Sequence, residues 1–161
     1  MAEINSYYFD DITIENEFRS LLKQRFAEND VYELYDKEIN LIPMDVDLKS
    51  KVSLPAVTFS IFQGESINPD DKELQTYIPF TIEVNVYTSG ESKVLKNRQL
   101  CNIIIQILQS NGPLPSEEYY CRGLRLQENT EVNSLLDSAY RRVIRMSGLC
   151  DNNLKLIIRG D

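Results

Sequence analysis

The chain has 161 residues, 42% of them hydrophobic, enough for one domain with a real core and cramped for two. Its 17 basic and 25 acidic side chains leave a net charge of −8, which opposes tight binding to nucleic acid through phosphate contacts. No run approaches the roughly 20 apolar residues that span a bilayer, and Met1-Ala2-Glu3-Ile4-Asn5 lacks the basic-then-apolar order of a secretory signal, so the expectation is a protein made and kept in the cytosol with no membrane partner.

In chain order, Thr13 is a candidate N-cap, with Glu15 and Glu17 near the positive end of the helix dipole. Ile14, Phe18, Leu21, Leu22 and Phe26 then recur at helical spacing, which predicts a first helix over 14–28. Residues 31–35 have the character of a short strand. Leu41-Ile42-Pro43 and Leu54-Pro55 bracket a polar segment whose prolines favour extended or looping chain. Residues 56–62 alternate, with Val57, Phe59 and Ile61 on one face, and end at Gly64. A turn-rich acidic stretch, 64–76, leads to the clearest pattern in the chain. There Ile78, Phe80, Ile82, Val84 and Val86 face one way, and Thr81, Glu83 and Asn85 the other. The stretch is too short for a helical crossover, so the two strands are expected to pair antiparallel with 64–76 projecting from the sheet.

Ser89 or Ser92 can cap a second helix over 93–110, on which Val94, Leu95, Cys101, Ile104, Ile105 and Leu108 form a broad apolar stripe ending before Asn111-Gly112-Pro113. Ile103 and Ile107 widen that stripe, which suits either an internal core or a subunit interface. Tyr120, Arg122, Leu124 and Leu126 alternate as a strand, and 140–146 alternates with apolar and arginine positions competing. Residues 154–158 read as a last strand paired with its predecessor across 148–153. Segment 36–53 is longer than a compact arrangement needs and 128–138 receives no clear element; either is a candidate for a loop that orders against a neighbouring subunit. The expected fold is α+β: residues 1–161 as a single domain, with a mostly antiparallel sheet of four to six strands and two main helices packed on it.

The chain contains no histidine, which removes the commonest general base, metal ligand and triad partner. Neither GxxxxGK[ST] nor GxGxxG occurs. Asp45-Val46-Asp47 lacks the glycine and glutamate of a calcium loop, and Cys101, Cys121 and Cys150 are too dispersed for a zinc site. Those cysteines, odd in number and without a CxxC pair, are expected to be reduced structural thiols. Asp70, Asp71 and Glu73, or Asp45 and Asp47, are the only compact carboxylate groups, and both lie in loop sequence where acidic residues are commonly just solvated. No enzyme and no cofactor is expected. Arg141, Arg142 and Arg145 form a basic cluster beside Tyr140, with Arg122 and Arg125 nearby. Such a run is either the wet face of a sheet, one side of an interface, or a phosphate patch. Charge is uneven: residues 1–83 carry 17 acidic and 7 basic side chains, and residues 84–161 carry 8 and 10, so the halves of different copies can attract.

Leu54-Pro55-Ala56-Val57-Thr58-Phe59, the strand 80–87 running directly into a helix, and Tyr140-Arg141-Arg142-Val143-Ile144-Arg145 give an order of elements that resembles the tail-terminator, or tail-completion, proteins of long-tailed bacteriophages. The resemblance spans most of the chain and rests on element order and hydrophobic pattern, with no catalytic motif. It implies a virion protein, assembled in the host cytoplasm, that forms a homo-oligomeric ring, usually a hexamer. Such a ring caps the tail-tube protein, ends its polymerisation and meets the head-completion or neck proteins, with the tail sheath a further partner. Genomic DNA would slide through the channel without sequence-specific contact. The candidate interface or lumen residues are Glu65, Asp70, Asp71, Glu73, Arg141, Arg142 and Arg145. A head-completion or neck protein is the nearest alternative, and a non-viral interaction domain a second one.

Overall fold

Uninterrupted alternation builds the centre of the molecule. In the computed structural model, which describes residues 11–31, 39–42, 54–63, 77–110, 121–133 and 139–151, strands β2 (Ala56–Gln63) and β3 (Tyr77–Thr88) pair antiparallel from Ala56↔Tyr87 to Gln63↔Phe80. Val57, Phe59 and Ile61 on β2, and Phe80, Ile82, Val84 and Val86 on β3, turn to one side and are buried there. Period two places them together, because successive side chains of a strand point to opposite faces. Strand β1 (Asn40–Ile42) adds a short parallel edge beside Ala56–Thr58.

Helix α1 (Asp11–Glu28) buries Ile14, Phe18, Leu22 and Phe26 against β2, and the Phe18 and Phe80 rings meet at 6.2 Å. It begins earlier than the sequence indicated, so Thr13 sits inside the first turn and is not the cap. At its other end Asn29 closes on the Arg25 carbonyl through both its backbone N–H (3.1 Å) and its side-chain Nδ2 (2.8 Å), and Asp30 takes a left-handed φ of 54° that ends the helix. Helix α2 (Lys93–Ser110) follows β3 through a tight turn in which Gly90 has φ 81° and Ser92 φ 58°. The Ser92 carbonyl accepts from the Lys96 N–H, and the Thr88 hydroxyl donates to the Lys93 carbonyl (2.7 Å), tying the helix start to the end of β3. The buried arc of α2 runs through Asn97, Leu100, Cys101, Ile104, Ile107 and Leu108. Val94 and Leu95, expected in that stripe, are exposed. At about 100° per residue Leu95 lies on the far side of the helix from Asn97.

Strands β4 (Cys121–Val132) and β5 (Tyr140–Asp151) complete a five-stranded sheet in the order β1-β2-β3-β5-β4, antiparallel except at β1. Both helices pack on one face, making the α+β arrangement read from the sequence. Three sequence expectations change here. Residues 128–132 are not loop: they continue β4, and their signal was lost because Glu128, Asn129, Thr130 and Glu131 are polar on both faces. Residues 148–151 are strand, not turn. Both sides of β5 are taken, by β3 and by β4. Residues 40–42 of segment 36–53 form β1. Residues 32–35, 64–76 and 154–158 lie outside the described residues.

Candidate assembly surface

The face of the sheet away from the helices carries the charge. On β3 it presents Thr81, Glu83, Asn85 and Tyr87, and on β5 Arg141, Val143, Arg145 and Ser147, because Glu83 pairs with Arg145, Asn85 with Val143 and Tyr87 with Arg141 across the ladder. Arg145 donates from Nε to Glu83 Oε2 (3.1 Å), and its Nη1 lies 3.1 Å from Glu128 Oε2 on β4, so one guanidinium ties three strands. The arginine is half-exposed, which limits each pair to about 1 kcal/mol or less. Arg141 donates to Asn85 Oδ1 from Nε (2.9 Å) and Nη2 (2.6 Å), donates to the Asn133 carbonyl from Nη1 (3.1 Å), and lies 5.7 Å from the centre of the Tyr87 ring. Burial raises the Tyr87 phenol above its ordinary pKa, with Arg141 opposing and Glu83 adding to the shift, so the ring stays neutral at physiological pH. Tyr87 also joins Ile42 and Ala56 in a small apolar cluster, flanked by Leu54 and Ala139.

Arg142 points the other way. Its cross-strand partners Val86 and Glu131 share the helix side, and there it donates from Nε to Asn129 Oδ1 (3.2 Å), from Nη2 to the Asn129 carbonyl (2.9 Å) and from Nη1 to the Tyr140 hydroxyl (3.2 Å). Above it, Asn97 on α2 donates from Nδ2 to the carbonyls of Val86 (2.8 Å) and Tyr140 (3.2 Å), and its Oδ1 accepts from Cys101 Sγ (3.3 Å). Burial pushes the Cys101 thiol up to about 12 despite the opposing Arg142 guanidinium. Buried and protonated at neutral pH, the Cys101 thiol is poorly placed to act as a nucleophile. In the native state it should resist iodoacetamide at pH 8 and label only after denaturation, as peptide mass spectrometry would read. The folded thiol keeps its proton up to about 12 while an unfolded one releases it near 9, so stability should fall as pH rises between those values.

The three arginines of β5 thus divide: Arg141 and Arg145 share the open face, Arg142 the helix side, and all three are committed to partners. Glu65, Asp70, Asp71 and Glu73 lie outside the described residues. What the sequence reading missed is the set of polar groups that hold the arginines, namely Glu83, Asn85, Glu128, Asn129 and Asn133. Glu83 and Arg145 are 62 positions apart, and only the β3–β5 register joins them. Arg125 is exposed and has no hydrogen-bond partner among the described residues. It lines a shallow depression of about 390 Å³ with Pro79, Phe80, Thr81, Ser147, Gly148 and Leu149. Phe62, opposite Thr81, and Leu149 add exposed apolar surface to this end of the face. Among the described residues no group of three His, Cys, Asp or Glu side chains is placed to hold a metal, and no helix is long and apolar enough to cross a membrane. No protein-family model matches the chain, and no curated protein sequence matches it.

Proposed function

We propose that the chain is a structural, non-enzymatic subunit of a long-tailed phage virion: a tail terminator that assembles into a ring, usually hexameric, ends tail-tube polymerisation and joins the tube to the head-completion or neck proteins. The observation that carries this reading is the order of elements. A helix, an antiparallel strand pair, a helix leaving β3 directly after Thr88 and a closing arginine-bearing strand are the features on which the resemblance to tail terminators rests. The chemistry of the site is consistent with a role in association. The chain has no histidine, its described thiol is held neutral, and the charged groups of the open face are bound to one another, so contact surfaces are what this face offers a partner.

The test is to mix the purified chain with the tail-tube protein of the same phage and measure tube lengths by electron microscopy. Capped tubes with a restricted length distribution are expected. An unchanged distribution, with binding instead to portal-side proteins, would replace the reading with that of a neck protein.

A further inference from the structure

One row of side chains across the open face is uneven in length and in charge. The ladders align Phe62, Thr81, Ser147 and Arg125, because Phe62 pairs with Thr81, Thr81 with Ser147 and Ser147 with Arg125. Two short hydroxyl side chains thus lie between two long ones, and they floor the depression of about 390 Å³ that Pro79, Gly148, Leu149 and Arg125 also line. Between Arg122 and Arg125 the β4–β5 ladder shifts register, three steps of β4 spanning two of β5, and such bulges re-aim the side chains beside them. Arg125 is exposed there with no ion-pair partner among the described residues. The carboxylate next to it along β4 is already taken at both oxygens: Glu128 Oε2 lies 3.1 Å from Arg145 Nη1, and Oε1 accepts from the Thr130 hydroxyl (2.8 Å). Glu83 is likewise held by Arg145 (3.1 Å). Ser147 Oγ accepts from Gln127 Nε2 (2.9 Å), which leaves its own proton to donate. Among the described residues no carboxylate lines the depression.

We propose that this depression binds a carboxylate side chain with an apolar neighbour, presented by a partner protein. The planar guanidinium of Arg125 offers a two-pronged donor that matches a carboxylate, and the hydroxyls of Ser147 and Thr81 add donors on the floor. Leu149 and Phe62, both exposed beside it, cover the apolar neighbour. Both parts are needed. An arginine–carboxylate pair in open water contributes little, and apolar groups that close over it strengthen it by excluding water. A phosphate group fits less well, since it would bring up to two charges to a single guanidinium on a largely apolar surface, in a chain of net charge −8. The proposal rests on the reading of this face as an association surface, and not on the ring or the tube.

NMR titration of the full chain with two blocked peptides, acetyl-Leu-Glu-Leu-amide and acetyl-Leu-Gln-Leu-amide, tests it. The glutamate peptide should move the Arg125 Nε–H signal and the amides of Thr81, Ser147 and Leu149, and the glutamine peptide should bind about 10-fold or more weakly. Arg125→Gln should erase that preference, Arg125→Lys should keep only part of it, and Leu149→Ser should weaken both peptides alike. Equal binding of the two peptides, a preference that survives Arg125→Gln, or shifts confined to another part of the chain would overturn the proposal. So would inorganic phosphate that moves the same signals at lower concentration than the glutamate peptide does. Tubes capped as usual by a chain that ignores both peptides would remove this proposal and leave the tail-terminator reading standing. Peptide bound at Arg125 with tubes left uncapped would overturn the tail-terminator reading alone.

Discussion

Asn97→Ala lowers the stability of the folded chain by about 3 kcal/mol, read as a fall of roughly 10 °C in the thermal midpoint. Asn97 is fully buried, and its amide joins α2 to the backbones of both central strands, through Val86 and Tyr140. Truncation leaves two carbonyls and the Cys101 thiol without it in a place water does not reach. Asn97→Asp separates the hydrogen bonds from the packing. At neutral pH a carboxylate would face two carbonyl oxygens with no proton to donate, so the aspartate should cost more than alanine. In acid the protonated carboxyl regains a donor. Because the native state then favours the protonated form, the aspartate variant's deficit should shrink as pH falls and grow as pH rises. Urea titrations of both variants at pH 4 and pH 7 would check this.

Phe18→Ala should cost about 3–5 kcal/mol, enough to leave little or no folded protein at physiological temperature. Phe18 is wholly buried, packs on Phe80 at 6.2 Å, and belongs to the stripe by which α1 covers β2. Phe18→Leu, which keeps most of the volume, should cost less than about 1.5 kcal/mol. Calorimetry on the two variants would distinguish a loss of volume from a loss of ring stacking. Equal losses would place the energy in the ring geometry.

Where burial was one-sided, residues alone located the elements. The bounds of β2, β3 and α2 follow from period two and period 3.6 because one face of each is driven out of water. The same signal fails where neither face is apolar. The second half of β4 reads as loop in sequence, yet it is held in the sheet by the backbone of β5 and by pairs such as Glu128 with Arg145. Strand β1 is only three residues long, too short to display a period. Arg141, Arg142 and Arg145 stood out in the sequence only as one basic cluster, and the strand pairing is what divides them, Arg141 and Arg145 to one face and Arg142 to the other. Their partners were not legible, because Asn85 and Glu83 reach them only through a register set between strands more than 50 residues apart.

Strand β5 lies between β3 and β4, although it follows both in the chain. A chain emerging from the ribosome can form the β2–β3 hairpin and lay α2 on it, but β4 then has no neighbour to join until residues 140–151 arrive. Synthesis order and spatial order are therefore at odds at the middle of the sheet, where Ile82 and Val84 wait on an open side. A message cut short before Tyr140 would yield a sticky half-sheet, and its fate would be aggregation or proteolysis in place of partial function.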